Sequence, residues 1–419
     1  MKAFSGPPLW HTQSLCYGGV ERQIIAAAEV VSRAGLPIHL ICDRMPPNGA
    51  SDFFWGQARS YFKGIHSLEE AIPKFSQFLP EAEQAVNLLA EKYFPRLDPF
   101  TRVMMAHFSA YFAVFRPRLV QIWNADHLYA ALAAAVAGVP LIVICAQSMS
   151  PRKRYPLGLE SVDDQFARRA FDLLLGLPEV ILTANSRAGR DDYRDWLGLD
   201  SERILLTPNI FVGDSQPPPG DEEVAAMRRN LGIPQEAKVI GGLFRLAAIK
   251  DPALWVNTAA RVLRQRPDVY AVLGGDGPLF SQVAEAVAGG PFASRLLLPG
   301  RIEAVAAFHA MTDLHLLTSF VEGLPNTALE AQYAGKPVVS TLCGGIADIV
   351  ADKESGLLVP EREAEALAAC ARFVLDHPTW AGEAGRKGRE RVLRLFSKET
   401  AGKALLDMYT RLFRYVSQG

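Results

Sequence analysis

At 419 residues the chain is too long for one ordinary hydrophobic core, so two domains are expected. Hydrophobic residues make up 49% and charged residues 21%, the balance of a soluble globular protein. The 44 basic and 45 acidic residues leave a net charge of −1, which excludes a global attraction to nucleic acid or to an anionic membrane.

The first fifteen residues, "MKAFSGPPLWHTQSL", lack the long apolar run of a signal peptide, and a cytoplasmic protein is expected. Cys16, Cys42, Cys145, Cys343 and Cys370 form no Cys-x-x-Cys pair, and three of them sit in apolar runs. They read as reduced core thiols, not as a disulfide frame or a zinc site. The first β-rich run is "LWHTQSL" (9–15). It is followed by "CYGGVERQIIAAAEVV" (16–31), in which Gly18-Gly19 open a helix reaching about Arg33. Glycines there let the backbone approach a phosphate or sugar closely, although a lone Gly-Gly turn is a weak signal.

After "PIHLICD" (37–43), residues 50–118 read as an irregular, largely helical insert rich in Phe. Its "VMMAHFSAYFAVF" (103–115) spaces aromatics as a core helix does; peripheral contact with lipid is the lesser alternative. The series resumes with "LVQIW" (119–123), "LIVICA" (141–146), "VILTAN" (180–185) and "RILLTPN" (203–209). The stretch "ALAAAVAGVPLIVICA" (131–146) is apolar but short and interrupted, so it reads as helix, turn and strand, not as a membrane span. A break falls at 211–237, where Pro217-Pro218-Pro219-Gly220 marks a linker followed by one helix.

A second series follows: "VIGGLF" (239–244), "VYAVLGG" (269–275), "LLLPG" (296–300), "LHLLTS" (314–319), "PVVST" (337–341) and "GLLV" (356–359). Most runs in both series are continuously apolar and alternate with helical patterns. That is the signature of parallel strands buried on both faces, and two such series predict two doubly wound α/β domains.

The chemistry-bearing stretches lie at strand ends. In "FRLAAIKDPALW", Arg245 and Lys250 share one strand-to-helix loop, closed by Asp251 as cap and Pro252 as first-turn proline. A diphosphate would neutralise both cations; two surface cations are the plain alternative. In "FVEGLPNTALEAQYAG", Pro325 suits a first helical turn and Gly335 ends the helix. Gly323, Leu324, Pro325 and Asn326 then stand at a helix N-terminus, where amides and dipole favour an anion. Glu322 and Glu330 flank that turn, and carboxylates accept sugar hydroxyls. Phosphate and sugar together suggest a nucleotide sugar; a solvated loop and helix face is the alternative. No Gly-x-Gly-x-x-Gly fingerprint, P-loop or Gly-x-Ser-x-Gly elbow is present. No pair of histidines has metal-ligand spacing, and no Asp-x-Asp follows a strand to hold a divalent metal.

With these pieces in order the chain resembles the retaining glycosyltransferases of family four, the glycosyl transferases group 1 proteins. "GGVERQ", "LAAAVAGVP", "TANSRAGRDDY", "FRLAAIKDP", "GGDGP", "EGLPNTALEAQYAGKPVV" and "GGIADIV" follow the family in order and spacing. The resemblance implies a GT-B fold of two Rossmann-like doubly wound parallel-sheet domains facing a central cleft. Residues 1–210 would bind the acceptor and 238–397 the donor, and a helix at 398–419 would cross back to the N-terminal domain.

It implies that Arg245 and Lys250 hold the diphosphate, with Glu330 on the ribose. Glu322 and the amides of Gly323 to Asn326 would face the transferred sugar, the backbone at Ile302 the base, and Gly18 and Gly19 the phosphates. Arg245, Lys250 and Glu322 would be the catalytic set, with no metal and no cofactor beyond the donor. The partners would be a nucleotide sugar and a glycan, lipid-linked or protein acceptor, without nucleic acid, and with peripheral contact to the inner membrane face as a further expectation.

Two departures stand out. Gln147 occupies the place of a histidine common in the family, and Trp123 and Asn124 replace a His-x-His. "PNIF" (208–211) replaces the usual Asn-Gly. "WNAD" and "AQSMSP" are similar to a bacterial polysaccharide and lipopolysaccharide sub-branch that lacks the histidine, so Asn124, His127 and Gln147 are acceptor-side candidates without a catalytic role. The expected function is transfer of a sugar to an acceptor hydroxyl with retention, in cell-surface glycan synthesis. The alternatives are a degenerate GT-B protein that binds nucleotide sugar or a partner, and another GT-B enzyme such as a nucleotide-sugar epimerase.

Overall fold

The computed structural model describes residues 5–16, 18–43, 54–154, 164–211, 213 and 218–418. It divides into two compact units, Met1–Ile210 with Ala401–Gly419, and Phe211–Thr400. Pro217 of the expected linker lies outside the described residues.

The first unit is built on a seven-stranded sheet: β1 (Leu9–Thr12), β2 (His39–Cys42), β3 (Gly64–Ser67), β4 (Val120–Ile122), β5 (Ile142–Ala146), β6 (Val180–Ala184) and β7 (Ile204–Leu206). The order is β3-β2-β1-β4-β5-β6-β7, every pairing is parallel, and Leu9 pairs with both His39 and Val120. β1, β4 and β5 are buried along their whole length; β5 runs apolar without alternation, while β1 and β4 bury His11, Thr12 and Gln121 as well.

β3 corrects the reading of 50–118 as an irregular, largely helical insert. "GIHS" carries one apolar residue and sits at the sheet edge, so neither periodicity nor an apolar run marks it. The rest of the described insert is helical, with long helices at Leu79–Tyr93 and Pro99–Phe115. In the latter, Asp98 caps the start by accepting from the Thr101 amide at 2.9 Å. Phe108 and Phe112 are wholly buried, while Phe100 and Val103 are exposed. The helix is therefore mainly core. Among the described residues no helix is long and apolar enough to cross a membrane.

The helix Gly19–Arg33 buries Ile24, Ile25, Ala28 and Val31 and places Glu21 in its first turn and Arg33 in its last, both favourable to the helix dipole. Its Gln23 accepts from the Ile210 amide at 2.7 Å, which anchors the "PNIF" segment. The final helix, Thr400–Gln418, belongs to this unit: the Tyr409 hydroxyl donates to Gln121 Oε1, and the Arg118 guanidinium stacks 4.5 Å over Phe413.

The second unit carries a six-stranded parallel sheet: β8 (Lys238–Leu243), β9 (Val269–Gly274), β10 (Leu296–Gly300), β11 (Leu314–Leu317), β12 (Val338–Thr341) and β13 (Gly356–Val359). The order is β10-β9-β8-β11-β12-β13. Glycines inside β8 have a packing reason. A Cβ at Gly242 would lie 2.4 Å from Trp255 Nε1, and one at Gly241 would lie 2.4 Å from Thr312 Cγ2. The space lets Trp255, fully buried, donate to the Leu316 carbonyl at 3.0 Å. The helix that follows the proline-rich stretch is Asp221–Asn230, and Val224 and Met227 on it pack against Val239, Phe308 and their neighbours.

The thiols depart in part from the expected core placement. Cys42, Cys145 and Cys343 are buried, but Cys370 is only half-buried and Cys16 is exposed; all five are free. Cys16 lies in the loop after β1, where no apolar run carries it inward.

Candidate functional site

In the second unit the strand order reverses direction between β8 and β11. Loops leaving the carboxyl ends of two such strands diverge and form the crevice where doubly wound sheets hold ligands. The loop after β8 is pinned by Leu246, which is fully buried, while Arg245 beside it is exposed. Among the described residues no acidic side chain pairs with Arg245. A short 3-10 turn, Ala248–Lys250, leads to Asp251, which adopts left-handed φ of 47° and accepts from the Leu254 amide at 3.1 Å. The expected cap thus forms, and it fixes Lys250 immediately before the helix Pro252–Gln265.

The loop after β11 is stitched to this one. Thr318 donates to the carbonyls of Lys250 and Asp251 at 3.1 and 3.0 Å, and the Phe320 amide donates to Ile249 at 2.8 Å. Lys250 Nζ then lies 2.5 Å from Glu322 Oε1, and Ser319 Oγ donates to the same oxygen at 2.6 Å. Glu322 is buried, and the Lys250 side chain is 24% exposed. Both donors use Oε1. Among the described residues Oε2 receives no hydrogen bond, so one acceptor position on a buried carboxylate is open to a ligand.

The loop's other supports are residues that sequence reasoning missed. Arg362, just after β13, lies 3.6 Å over the Phe320 ring, donates to the carbonyls of Ser319 and Thr318 at 2.7 and 3.1 Å, and pairs with Asp251 Oδ2 at 2.6 Å. Thr341 Oγ1 donates to the Ser319 carbonyl at 2.9 Å. Gly344 has φ of +47°, and a Cβ there would sit 1.7 Å from the Glu322 carbonyl oxygen. The "GG" of "CGGIADIV" was a legible hint of that close approach; nothing in "PEREAE" marks Arg362.

The helix itself is Asn326–Tyr333, so Pro325 stands one residue before it, as the cap, and not within its first turn. Gly323, Leu324 and Pro325 are buried beneath its start. Glu330, one turn on, is mostly buried and lies 3.5 Å from His309 Nε2. The two glutamates therefore have different surroundings, a lysine for one and an imidazole for the other. Ile302 is half-buried, with its side chain over Gly274, where a Cβ would fall 2.7 Å from Ile302 Cγ1.

In the first unit the order reverses between β1 and β4. Gly18 caps the helix Gly19–Arg33 in extended conformation, with Gly19 exposed. Asn124 Oδ1 accepts from the Asp126 amide at 3.1 Å and shapes the turn after β4. His127 follows it and joins a cluster that the sequence did not announce. His11 Nε2 is 2.8 Å from Asp43 Oδ1, the Tyr129 hydroxyl donates to Asp43 Oδ2, and His127 meets His11 edge-on with centroids 5.6 Å apart. Burial would raise the Asp43 carboxyl, but His11 and the two hydrogen bonds more than offset this and hold it below the usual carboxylate value. Burial pushes His127 down to about 4, so it is neutral at physiological pH. Gln147 belongs to a separate group: Asn185 Nδ2 donates to Gln147 Oε1 at 3.2 Å and to Asn209 Oδ1 at 3.3 Å. A histidine inside the first β-rich run, "LWHTQSL", was the one legible sign of the His11 cluster.

Residues 237–377 match the family described as Glycosyl transferases group 1. Over 385 residues, covering 86% of this chain, the sequence is 26% identical to the Vi polysaccharide biosynthesis protein VipC/TviE of Salmonella typhi. Over 292 residues, 65% of this chain, it is 29% identical to a D-inositol 3-phosphate glycosyltransferase 2 of Catenulispora acidiphila. The chain spans about two thirds of the length of these relatives, 64% and 66% respectively. Among solved structures, Anabaena HepE in complex with UDP and glucose superposes with a TM-score of 0.73 at 17% identity, covering 97% of this chain and 99% of that one. Residues 237–377 are thus similar to the glycosyl transferases group 1 family, and the two parallel-sheet units carry the GT-B fold.

Proposed function

We propose that this protein is a retaining glycosyltransferase that moves a sugar from a nucleotide-diphosphate sugar to an acceptor hydroxyl in the synthesis of a cell-surface polysaccharide or related glycan. The observation that carries the reading is the Lys250–Glu322 pair at the β8/β11 switch point, inside the segment that matches the family. The biosynthetic name of the Salmonella relative and the UDP and glucose bound to HepE are consistent with it.

On this reading the diphosphate lies along the β8 loop, against Arg245 and Lys250. The transferred sugar faces Glu322 and the Gly323–Asn326 turn, the ribose faces Glu330, and the base lies near Ile302. Asn124, His127 and Gln147 lie on the acceptor side. As the bond from the anomeric carbon to the diphosphate oxygen breaks, its electron pair stays on the diphosphate. The acceptor hydroxyl attacks from the same face and passes its proton to that oxygen, so the anomeric configuration is retained. Arg245 and Lys250 stabilise the growing negative charge, which is greatest in the transition state. Charge neutralisation is assigned to these cations and not to a metal ion, so EDTA leaves turnover unchanged. The enzyme is placed in the cytoplasm, with peripheral contact to the inner membrane face.

The test is nucleotide binding followed by turnover. A diphosphate present at about one hundred times its Kd stabilises the native state by about 2.7 kcal/mol, read as a rise in melting temperature across UDP, GDP and ADP and their sugar conjugates. Lys250→Met and Arg245→Ala each lower donor turnover by roughly 10²–10³-fold. Undiminished turnover in both variants refutes the site assignment, and failure of every nucleotide to bind refutes the donor reading.

A further inference from the structure

Gln147, just beyond the carboxyl end of β5, is the last link in a chain of three side-chain amides. The chain starts at Asn209, whose neighbour Ile210 is held twice by Gln23: Nε2 donates to the Ile210 carbonyl at 3.3 Å, and Oε1 accepts from the Ile210 amide at 2.7 Å. Asn185, just after β6 and 3% exposed, donates through Nδ2 to Asn209 Oδ1 at 3.3 Å. The same Nδ2 donates to the Gln147 carbonyl at 3.3 Å and to Gln147 Oε1 at 3.2 Å. Asn185 Oδ1 is buried and accepts no hydrogen bond among the described residues, a costly arrangement that an apolar side chain would avoid.

The direction of these amides follows from one atom that cannot turn. The Gln147 carbonyl belongs to the main chain and only accepts, so the Asn185 atom facing it is nitrogen. That nitrogen also faces the end of the Gln147 side chain, so the facing atom there is oxygen. The NH2 group of Gln147 is left at the other side. Among the described residues nothing accepts from Nε2; Gln147 is half-buried and its Nε2 is not sealed from solvent. Two N–H donors and no acceptor therefore stand at the carboxyl end of a parallel strand, the side on which open α/β sheets hold ligands. A hydroxyl set against a donor-only group can accept, but its own proton then needs a further partner. A carbonyl or carboxylate oxygen accepts and leaves nothing unpaired.

We infer that Gln147 is a specificity-determining residue for the acceptor, and that it selects a sugar with a carbonyl or carboxylate oxygen at this place over one with a hydroxyl. Asn185 is its positioning residue. The inference rests on the proposed reading, in which Gln147 lies on the acceptor side.

The experiment measures calorimetric Kd values for three acceptor probes: phenyl β-glucoside, phenyl β-glucuronide and phenyl N-acetyl-β-glucosaminide. Wild type binds the glucuronide or the N-acetylglucosaminide roughly three- to tenfold more tightly than the glucoside, the size of one hydrogen bond. Which of the two is preferred tells a carboxylate from an amide carbonyl. Gln147→Glu keeps an oxygen facing Asn185 and turns the other end from donor to acceptor. It therefore reverses the preference toward the glucoside, with little change in melting temperature. Asn185→Ala retains Gln147 but lets its amide turn, and brings the ratio near one. If Asn185→Ala does not fold, Gln147→Glu decides by itself.

An unreversed preference in Gln147→Glu overturns the inference, and confines the NH2 group to the cavity of about 20 Å³ that Gln147 shares with Gln121, Trp123 and Thr183. Equal weakening of all three probes overturns it too, since a structural role predicts that. So does a wild type that binds none of them, or a Gln147→Glu variant that changes the Kd for UDP, GDP or ADP instead. A wild type that binds no nucleoside diphosphate overturns the donor reading on which the inference stands, whatever the probes show.

Discussion

Replacing Arg362 tests how the β8 and β11 loops are held together. Its guanidinium pairs with Asp251, but their side chains are 29% and 20% exposed, so water competes and the pair contributes about 1 kcal/mol. The bonds to the Ser319 and Thr318 carbonyls add about 0.5–1.5 kcal/mol each. The stack on Phe320 adds about 0.5–1 kcal/mol. Arg362→Ala loses most of this, and hydration of the freed carbonyls recovers some, for a net cost of about 3 kcal/mol. Arg362→Lys keeps the charge and one bond but not the fork, and costs about half as much. The assay is differential scanning calorimetry, with hydrogen exchange of peptides from 238–265 and 314–325 assigning the transition to the second unit. For a unit of this size about 3 kcal/mol lowers the melting temperature by roughly 6–12 °C. A shift below about 2 °C, or equal shifts for Ala and Lys, refutes the clamp.

Other outcomes follow from single features. Gly344→Ala must place a Cβ against the Glu322 carbonyl at left-handed φ, and costs clearly more in urea unfolding than Gly335→Ala. At Gly335 the φ of +74° meets open space, so only the backbone strain of about 1–2 kcal/mol applies. Burial holds His315 down to about 3, below its ordinary 6.5, so the unfolded chain takes up this proton first as pH falls. Its contribution to stability is complete above about pH 6.5 and is lost as pH falls toward 3; between pH 6 and 4 His315→Leu flattens the stability slope by up to about 1.4 kcal/mol per pH unit. In the native state a disulfide reagent modifies Cys16 first, while Cys42, Cys145 and Cys343 react only on unfolding. Rapid native labelling of any of the three is the contrary result.

The sequence by itself determined most of the elements and the two-sheet architecture. A strand covered on both faces runs largely apolar, as in "LIVICA", and such runs are visible without coordinates. Local capping was equally legible, because Asp251 satisfies an amide three residues away, within its own loop. β3 was not, since an edge strand of four residues needs no apolar run.

What only the tertiary structure decided is which side chains meet. Lys250 and Glu322 are 72 positions apart, and their contact follows from β8 lying beside β11. Arg362 reaches Asp251 across 111 positions, His11 and Asp43 come together because β1 and β2 are paired, and His309 meets Glu330 from a neighbouring helix. Hydrophobic patterning is a property of each segment against its own solvent and core. Ion pairs and hydrogen bonds are short-ranged and directional, so they become definite only once strand order has set the distances between loops.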